Sequence, residues 1–197
     1  MANKHASVLS EELYNKVLAF ALQRSRVPES DRLKILLSFK AGLRACEIAR
    51  IRVDHMTDAN GRPAREVTVF SSVSKGGRMR VVPMHKDIRD ALEAFMRRYP
   101  TAKYVAISSR RRKRGRPTAM TANAIAQWFF HLFKDMGLKG ASSHSGRRTF
   151  ATNATRKLGS FGMTIVDVQK LLGHARLDTT QAYVEPSDNT IALVNAI

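Results

Sequence analysis

Between Asp58 and Pro83 the chain abandons helical spacing, and this interruption restricts the possible folds more than any other feature. Asp58-Ala59-Asn60-Gly61 is turn chemistry: short polar side chains that bond their own backbone, then a residue with no Cβ. Residues 66–70 carry the β-branched content of a strand. Ser74-Lys75-Gly76-Gly77 reads as a hairpin loop. Residues 78–82 alternate basic and apolar side chains, a second strand that Pro83 closes because proline offers no N–H to a ladder.

The rest of the chain follows a period near 3.6. Leu13, Val17, Phe20 and Ala21 share one helix face, with Ser10 as N-cap and Leu9 and Tyr14 placed as a hydrophobic staple. Pro28 breaks this pattern, and a second helix is expected from about position 31, carrying Leu33, Leu36 and Leu37 and ending at Gly42. A short third helix is expected over 45–51. Beyond the hairpin, helices are expected over 87–99, after Thr121, over 144–158, and over 165–172 before a stop at Gly173. Residues 104–108 are expected to form one more short strand. The predicted fold class is mainly α with a small antiparallel β-sheet (α+β).

The charge balance narrows the function. Lys and Arg number 34 against 16 Asp and Glu, a formal net charge of +18. Such an excess repels itself in the folded state and is complemented by a polyanion: DNA, RNA or an anionic membrane surface. The basic residues do not sit opposite one long apolar helix face, which disfavours the membrane. Cys46 is the single cysteine, so an intramolecular disulfide is excluded and a cysteine-based zinc site is not expected. No stretch approaches the roughly 18–20 apolar residues of a membrane span. The first residues, Met-Ala-Asn-Lys-His, lack the apolar core of a secretory signal. A cytoplasmic, nucleoid-associated protein is expected, with no membrane partner.

Four short segments carry the chemistry. They are Gly42-Leu43-Arg44-Ala45-Cys46-Glu47; Lys75-Gly76-Gly77-Arg78-Met79-Arg80-Val81-Val82-Pro83; His144-Ser145-Gly146-Arg147; and Leu172-Gly173-His174 followed by Thr180 and Tyr183. In this order they resemble the G-x-R-x-x-E, hairpin-lysine, H-x-x-R and L-G-H…T-x-x-Y motifs of the tyrosine recombinase (phage integrase) family. The resemblance implies an enzyme that cleaves and rejoins DNA site-specifically through a 3′-phosphotyrosyl intermediate, as in DNA integration and the movement of mobile elements. It implies that Tyr183 is the nucleophile, that Arg44 and Arg147 clamp the phosphate, and that His174 adds a hydrogen bond. It further implies His144 as the base and Lys75 as the acid at the leaving oxygen. These residue types suit the task. Guanidinium groups stay charged and bind two oxygens at once, and charge on the transferring phosphate is where stabilisation counts most. A phenol of ordinary pKa about 10 needs a base. No cofactor and no metal are expected, since the sequence has neither clustered carboxylates nor a glycine-rich phosphate loop.

Further assignments follow. Glu47, three residues beyond Arg44, is expected to hold its guanidinium. Arg78 and Arg80 lie close to Lys75; they are counted among the DNA-binding residues, and the hairpin could place any of the three at the leaving oxygen. Arg110, Arg111, Arg112, Lys113, Arg114 and Arg116 form the densest charge run and are expected to bind phosphates from a loop, while Asn123 and Gln127 are candidates to read base edges. The family pattern is usually apolar where this chain has Gly146, which is expected to weaken the helix start and shift His144 relative to Arg147.

The domain expectation is one catalytic domain over residues 1–197, without the N-terminal core-binding domain usual in the family. Either an excised catalytic domain or a naturally short recombinase fits, and the Met1 start leans to the second. By resemblance, four protomers assemble on double-stranded DNA, with accessory DNA-bending proteins as further partners. The apolar tail 189–197 is expected to dock into a neighbouring protomer, or to pack on its own domain when DNA is absent. Two rival functions remain: a non-catalytic DNA-binding relative, and a type IB topoisomerase-like strand transferase.

Overall fold

The computed structural model describes residues 6–70, 79–109, 118–184 and 195. Helix α1 spans Glu11–Gln23, and the Ser10 hydroxyl accepts from the Leu13 N–H as its cap. Helix α2 spans Pro28–Lys40, so Pro28 starts the helix that it was expected to precede. Proline is tolerated there because the first N–H of a helix has no intrahelical partner.

Residues Leu33 through Phe39 of α2 are all buried, and α1, α4 (Lys86–Arg98) and α6 (Ser145–Arg156) pack around it. A helix buried on every side is a central post. One of those residues is Lys34, whose ammonium lies 2.5 Å from the Asp31 carboxylate and 4.2 Å from the centre of the Trp128 ring. The pair and the ring compensate a charge withdrawn from water. Burial still holds the Lys34 amine below its usual range.

Helix α3 covers only Ala45–Ile48, shorter than expected, and a 3₁₀ turn follows at Val53–His55. Strand β1 (Glu66–Val69) pairs antiparallel with β2 (Arg80–Pro83), in a register that sets Val67 against Val82 and Val69 against Arg80. Helix α4, Lys86–Arg98, buries Ile88, Ala91, Leu92 and Phe95. The strand expected over 104–108 shrinks to β3, Ile107–Ser108, paired with β4, Thr118–Ala119; Tyr104 instead makes an isolated bridge to Arg52. Helices α5 (Ala122–Asp135), α6 (Ser145–Arg156) and α7 (Ile165–Leu172) follow. Helix α8, Asp178–Gln181, was not anticipated, since four residues are too few to show a period.

The apolar residues divide into two clusters. The larger spans α1 to α5 and the strands and contains Leu36, Phe95 and Phe133. The smaller consists of buried Ala151, Val168 and Leu172, with Phe150, Ala154, Leu158 and Tyr183 packed against it. Among the described residues no helix is long and apolar enough to cross a membrane, and no group of three His, Cys, Asp or Glu side chains is placed to hold a metal ion.

Candidate active site

A buried carboxylate organises the site. Glu47 is fully buried, and its Oε2 accepts from the backbone N–H of Arg44 at 2.8 Å, which caps α3. Its Oε1 accepts from the Arg44 guanidinium at 3.2 Å, so the expected Arg44–Glu47 pair forms. A second guanidinium holds Glu47 more closely. Arg80 donates Nη1 to Oε1 at 2.8 Å and Nη2 to Oε2 at 2.9 Å, a bidentate pair, and its Nε donates to the Leu171 carbonyl at 2.9 Å.

Arg80 is therefore not one of the DNA-contact residues expected from sequence. It is buried, and its fork is spent on Glu47 and the end of α7. The strand alternation carried the signal: Arg80 shares parity with buried Val82, whereas Met79 and Val81 face solvent. Gly173 makes room for it, since a Cβ there would lie 2.9 Å from Arg80 Cδ.

Arg147, on α6, is 3% exposed. It donates Nη1 to the Gly42 carbonyl at 2.6 Å and Nη2 to the Leu172 carbonyl at 2.7 Å. Those carbonyls lie at or just past the C-terminal ends of α2 and α7, where helices leave acceptors unpaired and carry partial negative charge. Arg147 thus ties two helix ends together beneath the site. Its Nη1 also lies 3.9 Å from Glu47 Oε2.

Gly146 has a packing reason that the sequence did not reveal. A Cβ there would meet Ser38 Oγ at 2.2 Å and the Phe39 ring at 2.7 Å. Glycine lets α6 lie directly on α2, and α6 still begins at Ser145. His144 precedes that helix at its N-cap position without a side-chain capping bond, and stands at the rim with its ring partly covered. Burial of its ring, then the charges of Arg147 and Arg44, hold the His144 pKa below the usual imidazole value. At neutral pH it is unprotonated and can take a proton.

His174 follows Gly173, which ends α7 in the left-handed conformation at φ 64°. His174 is 6% exposed and has a partner at both ring nitrogens. Nε2 lies 2.9 Å from Arg147 Nη2, and Nδ1 lies 2.9 Å from Thr180 Oγ1. Burial first, then Arg147, Arg44 and Arg80, press its pKa down to about 4. Tyr183 is half-buried, its ring stacked on that of His174 with centres 5.9 Å apart and planes inclined by 17°. The Thr155 hydroxyl donates to its backbone carbonyl at 3.0 Å.

The electrostatics are lopsided. Arg44, Arg80 and Arg147 surround the single carboxylate of Glu47. Burial alone would raise the Glu47 pKa, but hydrogen bonds and charge from Arg80, then Arg44 and Arg147, hold it below the usual carboxylate range. Burial and the Arg44 charge push Arg147 down to about 9, which leaves it protonated at neutral pH. The excess of positive charge suits an anion, and Arg44, whose side chain keeps 22% exposure, is its accessible member.

The structure gathers Arg44, Glu47, Arg147, His174 and Tyr183 at one place, with His144 at the rim. Sequence reasoning missed the interior role of Arg80 and gave Thr180 no task, although Thr180 stands in the quoted T-x-x-Y motif. Asn123 and Gln127 are exposed on α5, opposite the buried Ile125 and Phe129. Lys75, Arg78, Arg110, Arg111, Arg112, Lys113, Arg114 and Arg116 lie outside the described residues.

Residues 7–190 match the model of the phage integrase family. The chain is 31% identical over 159 residues to the tyrosine recombinase XerA of Thermococcus kodakarensis, an alignment covering 79% of this chain and 50% of that protein. It is 28% identical over 166 residues to the tyrosine recombinase XerC of Leptospira interrogans, covering 82% of this chain and 48% of the relative. The chain thus spans about half the length of the curated relatives it matches. In fold it is similar to the crystal structure of XerA recombinase, with a TM-score of 0.68 at 21% identity, covering 100% of this chain and 64% of that one. It is also similar to the XerH site-specific recombinase bound to its difH substrate, with a TM-score of 0.70 at 18% identity, covering 100% and 55% of the two chains.

Proposed function

Because the chain belongs to the phage integrase family, we propose that it cleaves and rejoins duplex DNA at specific sites through a 3′-phosphotyrosyl intermediate on Tyr183. The observation that carries this is the convergence of Arg44, Arg147, His174 and Tyr183 around one buried carboxylate, with a net positive charge left for a phosphate.

The Tyr183 oxygen attacks phosphorus, the bond to the 5′ oxygen breaks, and a Tyr183–phosphate ester replaces the phosphodiester. The number of phosphoester bonds is unchanged, so rejoining needs no external energy. Arg44 meets the non-bridging oxygens from its partly exposed position, and Arg147 supports the same charge from beneath. His144, unprotonated at neutral pH, receives the phenol proton. Lys75 supplies the proton to the leaving 5′ oxygen. His174 hydrogen-bonds the phosphate during attack.

The basic run 110–116 and Arg78 bind flanking phosphates, and Asn123 and Gln127 face base edges. Residues 1–197 act as one catalytic domain. Four protomers assemble on DNA, residues 189–197 of one docking on the next, and DNA-bending proteins assist. The protein works in the cytoplasm, on the nucleoid.

The test is covalent capture. The protein is incubated with nicked duplexes drawn from the DNA flanking its gene and resolved under denaturing conditions. A protein–DNA adduct is expected, and Tyr183→Phe abolishes it. An adduct that persists in this variant moves the nucleophile elsewhere; DNA binding without any adduct makes the chain a binding module instead.

A further inference from the structure

His174 has a partner on each ring nitrogen, and one of those partners has a fixed role. Arg147 Nη2 lies 2.9 Å from Nε2, and a guanidinium donates but never accepts. Nε2 is therefore the unprotonated nitrogen. In the neutral ring the proton then sits on Nδ1, which donates to Thr180 Oγ1 at 2.9 Å. A ring in this state has no N–H to offer a phosphate oxygen. Its single proton is committed to Thr180, and its other nitrogen accepts from Arg147.

To donate from Nε2, the ring must either charge or change tautomer. Charging is opposed by its surroundings. Arg147 from α6 contacts the ring, and the charges of Arg147, Arg44 and Arg80 all oppose its protonation, offset by that of Glu47. Changing tautomer requires a partner on Nδ1 that accepts in one state and donates in the other. A hydroxyl does this without moving a heavy atom. Thr180 is fully buried on α8, three residues before Tyr183, so its Oγ1 is held at Nδ1 by the segment that carries the nucleophile.

We propose that Thr180 is a positioning residue that lets His174 exchange tautomers when a phosphodiester draws Arg147 away from Nε2. Nδ1 releases its proton to water, Nε2 takes one from water, and the proton of the Thr180 hydroxyl turns toward Nδ1. The charge of the ring does not change. His174 then donates to the phosphate from Nε2 while Thr180 holds it from behind. This step rests on the recombinase reading given above, and it assigns Thr180 a task that the sequence motif leaves open.

The experiment pairs a ring-nitrogen spectrum with a reaction. In Tyr183→Phe protein, ¹⁵N-labelled at histidine, the His174 shifts are expected to show an unprotonated Nε2 without DNA. With uncleaved duplex bound they are expected to show a protonated Nε2 and an unprotonated Nδ1. With Tyr183 intact, Thr180→Val, which keeps the shape and removes the hydroxyl, slows adduct formation by about 2–10-fold, the range that the loss of one net hydrogen bond gives. Thr180→Ser restores it. A protonated Nε2 in the free protein, a doubly protonated ring on DNA, an unchanged ring on DNA, or a Thr180→Val protein reacting at the parental rate would each overturn the proposal. The spectrum needs no Thr180 variant, so it decides even if Thr180→Val fails to fold. If the parental protein forms no adduct, the recombinase reading fails on its own, and the DNA-bound spectrum still judges the tautomer.

Discussion

Arg44, Glu47 and Arg80 of the charge cluster stand on α3 and β2, against a core that includes Leu33, Leu36, Ile48 and Val82, and Arg147 reaches them from α6, whereas the segment bearing His174 and Tyr183 stands on Ala151, Val168 and Leu172. The second region is attached mainly by polar ties. Arg80 holds the Leu171 carbonyl, Arg147 holds that of Leu172, and Thr155 donates to that of Tyr183. A hydrogen bond contributes about 1 kcal/mol net, while a fully buried large apolar side chain contributes about 1.5–3 kcal/mol. The α7–α8 segment is therefore the part that opens first, and the guanidinium cluster is the part that stays. For the proposed strand transfer this division is useful: the part that stays would hold the phosphate, and Tyr183 could approach and withdraw.

The largest effect is expected where the two regions meet. Arg80→Ala removes the bidentate partner of fully buried Glu47 and releases Leu171 together. Leaving a buried carboxylate short of its partner costs about 3–5 kcal/mol, read as a lower urea midpoint. Arg80→Lys is expected to recover only part of this, since an ammonium cannot span both carboxylate oxygens. A loss below about 1 kcal/mol, the value of an exposed pair, would mean that Arg80 is not what joins the regions.

How far each region was legible in the sequence follows the same division. Helices α1, α5 and α7 and the β1–β2 strand pair were legible because caps, helical period and β-branched content agree locally. The polar residues of the site were legible as a motif, since their order along the chain survives without coordinates. What stayed hidden depends on contacts distant in sequence. Arg80 pairs with a carboxylate 33 positions away, and Arg147 binds a carbonyl 105 positions away. Gly146 seemed a weakness of α6 until the side chains of Ser38 and Phe39 were placed against it. Pro28 was misread for a local reason, because the residue that ends one pattern also suits the first position of the next helix.

A pH series sharpens the comparison further. The pKa of His174 is about 4 in the folded protein, against 6.5 for an ordinary histidine. The unfolded chain therefore takes up a proton at a pH where the folded chain does not. The stability that this contributes is fully present above about pH 6.5 and is lost as pH falls from there through 4. His144 and His55 are depressed as well and add loss of the same sign. Hydrogen exchange between pH 7 and pH 4, corrected for intrinsic rates, should show protection falling first in α7 and α8. His174→Gln should flatten that fall. If protection is lost equally in α2 and α4, His174 reports on the whole molecule and not on its thin side.

The smallest effect tests the division most directly. Val168 is one of the three buried residues beneath Tyr183. Val168→Ala removes the equivalent of two methylenes, about 1.5 kcal/mol at roughly 0.8 kcal/mol each. Val168 is exposed both when α7 and α8 open locally and when the whole chain unfolds, so amides of α7, α8 and α2 all exchange faster, by about tenfold, the factor that corresponds to 1.4 kcal/mol. Ile35→Val is the counterpart in the main core, where it removes one methylene, about 0.8 kcal/mol or roughly fourfold in exchange. If α7 and α8 open while the main core stays, their amides keep the parental rate in this variant and those of α2 speed up. Equal acceleration everywhere would make the two clusters one, and the mobility assigned to Tyr183 would then need a source other than the small cluster beneath it.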